Sequence, residues 1–238
     1  MSSWQRTMRA APLALFLLQL QACSHYIPVV TLEESPQTIP ARVQLQPLVD
    51  SSTAGSRHSP QAGSGGDGAI TDPAYLDEPL AELVTRAILK DFRTSGVFDA
   101  IGRNTSYPDL VLQGEIHRFQ ERVRSPRWLA IPVMNLLIML FAAPVESHAV
   151  DVDLELVLTY PDGTPLGQYS GRSQFTQKIS VYDPEVWNEE GHRLNLAFTE
   201  AVRQIREQML ADEKLMKATW RAATHKTPAP EPPPGMMR

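Results

Sequence analysis

Alternating apolar and polar residues predict five β-strands. In the clearest of them, residues 150–160, every second side chain is apolar and most of those between are acidic or polar. A Pro161-Asp162-Gly163 turn follows, and residues 169–179 alternate again, so the two segments predict a β-hairpin with one solvated face. Shorter alternating runs predict three more strands, at 43–46, 97–101 and 110–123.

Two stretches carry apolar residues at the spacing of an amphipathic helix. The first runs from Tyr75 to Ser95 and is followed by Gly96, a residue suited to a helix C-cap. The second begins after Asp183-Pro184 and continues to Ala218. Its predicted buried stripe consists of Leu194, Phe198, Ala201, Ile205 and Met209.

These elements follow one another in the order β-α-β-β-(apolar insertion)-β-β-α. A sheet with one apolar face must cover it, and two helices with one apolar face each can do so. We therefore predict an α+β two-layer sandwich, in which a mostly antiparallel sheet of four to five strands carries two helices on one face. The predicted domain covers residues 43–212.

Three further segments have too few apolar residues to form a core. Residues 50–72 consist mainly of Ser, Gly, Ala, Thr and Pro, so burial cannot offset the entropy of ordering them, and we predict a mobile loop. Residues 23–42 contain three prolines and little periodicity, which predicts a tether. Residues 213–238 are predicted to form a proline-rich C-terminal tail.

The N-terminus has the pattern of a secretion signal. Arg6 and Arg9 precede an apolar run from Ala10 to Leu20, which is too short to span a bilayer but suits the core of a signal peptide. The run ends in Leu20-Gln21-Ala22-Cys23. This sequence resembles the lipobox of bacterial lipoproteins, in which the chain is cut before the cysteine.

The lipobox resemblance implies that residues 1–22 are a signal peptide and that Cys23 carries a diacylglycerol thioether and an N-acyl group. Cys23 is the one cysteine in the 238 residues, so an intramolecular disulfide cannot form. Ser24 stands where such lipoproteins carry Asp as an inner-membrane retention signal. The resemblance therefore implies a lipid anchor in the periplasmic leaflet of the outer membrane, and we expect no other cofactor.

The charge balance argues against a nucleic-acid partner. The chain has 22 Lys and Arg against 27 Asp and Glu, a formal net charge of −5. Residues 1–22 contain two arginines and no acidic residue, so the mature chain would carry 20 basic and 27 acidic residues, or −7. A net negative field of this kind does not attract nucleic acid.

The predicted insertion, residues 126–146, contains an uncharged apolar stretch at 128–145. Pro132 and Asn135 interrupt it, and the strands on both sides belong to one sheet, which argues against a membrane span. The sequence leaves open a buried core helix, a membrane contact, or a contact with a partner or a second copy. The candidate contact residues are Arg124, Arg127, Trp128, Leu136, Leu137, Ile138, Leu140 and Phe141.

No catalytic or metal-binding spacing is found, so we expect neither an enzyme nor a metal site. The histidines at 117, 148 and 192 have no paired-ligand spacing. Asp151, Asp153 and Glu155 recur at strand spacing, and we interpret them as a solvated outer face of the sheet rather than as a calcium or partner site.

A second resemblance rests on the helix that ends in Ser95-Gly96-Val97-Phe98 and on the following Pro108-Asp109-Leu110-Val111-Leu112-Gln113-Gly114-Glu115-Ile116. With a lipidated cysteine, this plan resembles envelope lipoproteins with a TolB-N-like α/β module, such as auxiliary lipoproteins of envelope ABC transporters. The resemblance implies a non-catalytic accessory or scaffold for envelope transport or assembly, with an envelope protein or a second copy as partner. The alternative is an oligomerising, membrane-inserting lipoprotein of the secretion type that uses residues 128–145.

Overall fold

The computed structural model describes residues 26–52, 76, 78–124, 144–180 and 191–225. The strands are β1 (Ile39–Leu45), β2 (Val49–Asp50), β3 (Phe98–Gly102), β4 (Leu110–Arg124), β5 (Pro144–Thr159) and β6 (Pro165–Ser180). The helices are α1 (Leu80–Thr94), α2 (His192–Ala211) and α3 (Glu213–His225). The predicted class, α+β, is confirmed.

The described strands form one mixed sheet in the order β3-β1-β4-β5-β6, with the short β2 also paired to β4. β1 is parallel to both β3 and β4, whereas β4, β5 and β6 are antiparallel. The prediction of a mostly antiparallel sheet of four to five strands is therefore corrected to a mixed sheet of six. The reason is that α1 returns the chain across the sheet after β1, and strands joined by such a crossover run in the same direction.

A β-bulge divides β4 into two halves. Its pairing with β5 shifts between Ile116 and Arg118. Before the shift Leu112 and Ile116 point to the core, and after it Phe119 and Glu121 do so. The extra residue at the bulge thus changes which side chains of β4 face inward.

α2 covers the inner face of β4, β5 and β6. All five residues of its predicted stripe, from Leu194 to Met209, are buried, which confirms that prediction. The helix lies so close to β6 that a Cβ atom at Gly171 would meet the backbone carbonyl of Ala201. Any larger residue at Gly171 would push α2 off the sheet.

α1 ends as its sequence predicts. Gly96 has a φ of 69°, in the left-handed region that glycine adopts without strain. The amide of Val97 donates to the carbonyl of Phe92 at 3.2 Å, which is the long hydrogen bond of a Schellman motif. The turn directs the chain into β3 and thereby positions the parallel β1–β3 pair.

The predicted boundary at residue 212 is also corrected, because residues 213–225 are the helix α3 and not part of an extended tail. Asp212 ends α2, and its Oδ1 accepts hydrogen bonds from the amides of Lys214 and Leu215 at 2.8 and 3.2 Å. This is a side-chain cap, and it starts a new helix in place of the single helix predicted to Ala218. Leu215 is fully buried, so α3 belongs to the domain.

The predicted tether is ordered where the structure describes it. We call residues 26–38 the N-terminal strap. Asn195 Oδ1 accepts from Tyr26 Oη at 2.7 Å and from the Val29 amide at 3.0 Å. Farther along, the Leu32 amide donates to Asp91 Oδ1 at 3.0 Å. The strap thus bridges α2 and α1 and leads directly into β1, which begins inside the range predicted as a tether.

Several predicted segments lie outside the described residues: the leader at 1–22, residues 53–72 of the loop, the insertion from 126 to 143, and the chain after 225. Of the predicted loop, Asp50 belongs to β2, and the amide of Ser51 donates to the carbonyl of Ile116 at 3.1 Å.

The hydrogen bond between the strap and Asp91 predicts that the stability of the protein depends on pH, because Asp91 is a buried acid. Burial raises the pKa of this carboxyl, and the Leu32 amide and Arg206 offset the rise only in part. For an acid with a raised pKa, the stabilisation is complete below the unfolded-state pKa and is lost as pH rises through the folded-state pKa. Asp91→Asn, which stays neutral, should therefore gain stability relative to the parent protein as pH rises through that range. Urea unfolding across pH 3–8 measures it. The exposed Asp99→Asn is the control, and a pH-independent difference for Asp91→Asn would contradict the prediction.

Candidate functional site

Several elements meet at one end of the sheet, which we call the distal end. β4 ends there at Arg124, opposite Ser147 of β5, and Ser147 in turn pairs with Lys178 of β6. The first turn of α2 lies at the same end, because Arg193 Nε donates to Gln177 Oε1 at 3.1 Å. The distal end is therefore where the chain leaves β4, enters β5 and leaves β6.

Tyr26, the first described residue, lies close to this end. Its ring is 6.4 Å from the ring of Phe119, which makes an edge-to-face contact with Phe198 at 5.2 Å. The ring also fills the space beside Gly191, where a Cβ atom would collide with it. Burial, with a smaller effect of the Glu121 carboxylate, raises the pKa of the Tyr26 hydroxyl. The N-terminal strap is thus attached at the start of α2.

A buried polar cluster lies on the inner face of the distal end. His148 Nδ1 is 2.8 Å from Glu121 Oε1, and His148 Nε2 is 3.0 Å from Glu146 Oε2. Glu121 is 1% exposed, and its Oε2 has no hydrogen-bond partner among the described residues. The imidazole therefore joins a buried carboxyl group to one at the surface.

This cluster has the residue types of a proton-transfer site or a partial metal site, but it is small. Within the described ranges, no group of three or more His, Cys, Asp or Glu side chains could hold a metal ion. His117 lies in the bulge and does not join His148, because its ring is 3.7 Å from Glu115 and Glu155 on the outer face. His192 is exposed at the start of α2. The cluster is best described as a buried pair with one carboxylate at the surface.

The acidic stripe on the outer face is paired with basic side chains. Asp151 Oδ2 is 3.0 Å from Arg118 Nη1, and Arg172 Nε lies 3.8 Å from Asp151 and 4.0 Å from Asp153. The predicted outer face is therefore a lattice of ion pairs across β4, β5 and β6. Such exposed pairs contribute little to stability, and they leave a polar, nearly neutral surface.

A shallow groove lies on the sheet where β1 is interrupted before β2. It has a volume of about 350 Å³ and is lined by Gln46, Pro47, Val49, Gln113, Gly114, Glu115, Glu155 and Val157. Val49 is 63% exposed in this groove. The lining combines apolar side chains with two carboxylates and carries no nucleophile.

Of the predicted contact residues, the structure describes one. Arg124 is exposed as the last residue of β4, at the distal end. Cys23, Arg127, Trp128 and the aliphatic and aromatic residues from Leu136 to Phe141 lie outside the described residues, so their roles stay predictions. No helix within the described ranges is both long enough and apolar enough to cross a bilayer.

The Glu121–His148 pair was missed by sequence reasoning. The inward orientation of His148 follows from the sequence, because the alternation of β5, extended back from Val150 by one period, places His148 on the inner face. The inward orientation of Glu121 does not follow from the sequence. Alternation from Ile116 would place Glu121 on the outer face, but the bulge at His117 reverses the alternation. A bulge leaves no reliable pattern in a single sequence.

Comparisons with known proteins show only remote likeness. No family model matches the chain, and no curated protein matches it significantly. The solved structures that the chain resembles remotely include protein XCC0632 from Xanthomonas campestris, assigned to the DUF330 family, with 15% identity and a TM-score of 0.45 over 84% of this chain and 98% of that one. The PelC dodecamer from Paraburkholderia phytofirmans has 8% identity and a TM-score of 0.32 over 74% and 93%. An uncharacterized protein has 9% identity and a TM-score of 0.30 over 81% and 99%. Likenesses of this degree assign neither a family nor a function.

The buried pair predicts a non-additive effect on stability. His148→Leu leaves the Glu121 carboxyl buried without a partner among the described residues, and breaking such a pair costs about 3 kcal/mol. Replacing both residues, as in Glu121→Leu with His148→Leu, removes the stranded group and should recover most of that loss. Urea unfolding of the two single variants and the double variant measures the coupling. Additive losses would show that the two side chains do not act as a pair.

Proposed function

We propose that the protein is a non-catalytic lipoprotein of the bacterial cell envelope, held to the periplasmic leaflet of the outer membrane by acyl groups on Cys23. In this proposal it serves as an accessory or scaffold protein for an envelope transport or assembly system. The observation that carries the proposal is the N-terminal strap, because the folded domain holds its first residue, Tyr26, three positions after the candidate lipidation site.

The strap limits how far the domain can lie from a lipid on Cys23. Tyr26 is three positions after Cys23, and the backbone between them spans at most about 11 Å when extended. Tyr26 is 5% exposed and is held by Asn195 and Phe119. A lipid on Cys23 would therefore keep the folded domain directly against the membrane. A domain held at a set distance from a membrane suits docking to other envelope components better than capture of distant partners.

The open face of the sheet supports a scaffold role. The described helices cover the inner face, and the outer face of β4, β5 and β6 presents the ion-pair lattice around Asp151. The described helices leave this outer face uncovered, so it is available to a partner, and complementary charges on that partner could fix how the two proteins dock. The partner of this proposal is an envelope protein or a second copy of the chain.

The lipid anchor can be tested in cells. Cys23→Ala should abolish incorporation of a palmitate analogue and release the protein from the membrane fraction, since no other acylation site is proposed. Ser24→Ala is the matched control and should keep both the label and the outer-membrane location. By the lipobox resemblance, Ser24→Asp should move the labelled protein to the inner membrane. Label on Cys23→Ala, or outer-membrane recovery of that variant, would refute the proposal.

The alternative function is an oligomer that inserts residues 128–145 into a membrane. One observation favours it: the chain leaves β4 at Arg124 and enters β5 at Pro144, so both connections of this segment begin at the distal end, close to Tyr26. Arg124, Arg127 and Trp128 would then contact head groups, and the residues from Leu136 to Phe141 the acyl chains.

Replacing residues 128–143 with a Gly-Ser linker of equal length separates the two functions. The scaffold proposal expects the variant to keep its lipid label, its membrane location and its unfolding midpoint. If residues 128–145 insert into a membrane, the linker variant should lose cross-linked oligomers in membranes. When Cys23 is also replaced, alkaline carbonate should extract more of the linker variant from membranes than of the protein with the native segment. A large drop in the unfolding midpoint would instead indicate that the segment belongs to the core.

A further inference from the structure

Three large aliphatic side chains are exposed close to Cys23. Ile27, Val29 and Leu196 are 63%, 44% and 53% exposed. They lie on neighbouring stretches of backbone, because Asn195 Oδ1 accepts from the Val29 amide at 3.0 Å and Leu196 follows Asn195 on α2. We call these three residues the aliphatic patch.

The patch occupies one end of a polarity gradient along the strap. Near Cys23 the strap alternates, with Tyr26 and Pro28 buried and Ile27 and Val29 pointing outward. Apart from Pro36, the exposed residues farther along the strap are polar or acidic, namely Thr31, Glu33, Glu34, Gln37 and Thr38. Single exposed aliphatic residues are ordinary, but here the apolar ones are confined to the stretch nearest the candidate anchor.

The exposed face of α2 changes in the same direction. Leu196 lies in its second turn, whereas the side chains one to three turns later form the charged group Glu200, Arg203 and Glu207. From Ile27 along the strap and from Leu196 toward the end of α2, the exposed side chains therefore become mostly polar. A protein–protein interface requires no such gradient, whereas the water–lipid boundary imposes one on every element that enters it.

The outer face of the distal end adds positive charge. Arg122 and Arg124 of β4 and Lys178 of β6 are exposed, and Arg124 and Lys178 flank Ser147 in one cross-strand row. This concentration of basic residues occurs in a chain whose net charge is −5. Phosphate head groups are the anions that a membrane-facing end would meet.

We propose that the aliphatic patch enters the interfacial region of the membrane that holds Cys23, with Arg122, Arg124 and Lys178 facing its head groups. The patch thereby sets the orientation of the domain, with the distal end toward the bilayer and the groove beside Val49 directed away from it. This inference rests on the proposed lipidation. Ile27 is four positions after Cys23, a reach of at most about 14 Å, so the bilayer is the surface always available to the patch.

The test uses the lipidated full chain, reconstituted in vesicles of phosphatidylethanolamine and phosphatidylglycerol. Because acylated Cys23 has no free thiol, Ile27→Cys or Leu196→Cys introduces a single site for an environment-sensitive fluorophore. Thr31→Cys on the strap and Glu207→Cys on α2 are the matched controls. Brominated lipid should quench the first two probes several-fold more than the controls, and aqueous iodide should quench them several-fold less.

Equal quenching at all four positions would overturn the inference. So would protection of Ile27→Cys and Leu196→Cys from iodide without quenching by brominated lipid, accompanied by cross-links between copies, since the patch would then be a protein interface. The lipid label distinguishes failure of this inference from failure of the proposed anchor on Cys23. A protein that is labelled and membrane-bound, but whose patch is not shielded from iodide, would refute only the inference about the patch. Ile27→Asp with Leu196→Asp should keep the label and the membrane fraction but expose a probe at Val29→Cys to iodide.

Discussion

The contact between α2 and the inner face of β4, β5 and β6 is the interaction on which the rest of the structure depends. The three long strands present mostly apolar side chains on this face, and α2 buries them at a distance that only glycine allows at position 171. Once α2 is seated, Asn195 meets Tyr26 and the Val29 amide, and Arg206 Nη1 donates to the carbonyl of Glu33 at 2.6 Å. The path of the N-terminal strap is therefore a consequence of how the sheet is covered.

The bulge in β4 gives the two halves of the sheet different chemistry. On one side of it the inner face is apolar, and on the other side Glu121 and His148 bring polar groups into a buried layer. A buried carboxyl–imidazole pair rarely stabilises a fold more than apolar packing would. Tyr26, whose hydroxyl donates to Asn195 and whose ring is tilted against Phe119, packs in the same half of the sheet.

An ordered strap changes what a lipid on Cys23 would do. A flexible tether would let the domain turn freely at a distance from the membrane, whereas the strap is held to both helices from Tyr26, three positions after Cys23. In the proposed arrangement the membrane meets the aliphatic patch and the basic ends of β4 and β6. The ion-pair lattice on the outer face of the sheet is then held at a defined height, where an envelope partner or a second copy can reach it.

The sequence by itself determined most of the elements, though neither β2 nor the break at Asp212, because periodicity records which side chains each element must bury. The stripe from Leu194 to Met209, the hairpin closed at Pro161–Gly163 and the cap at Gly96 all follow from local pattern, and all occur. The tertiary structure alone decided the parallel pairing of β1, the side to which Glu121 points and the order of the strap. These depend on a crossover, on a bulge and on hydrogen bonds between residues as far apart as 26 and 195, and such contacts between distant residues leave no periodic trace in a single chain. The same limit applies to the aliphatic patch, which exists only because the strap brings Ile27 and Val29 beside Leu196.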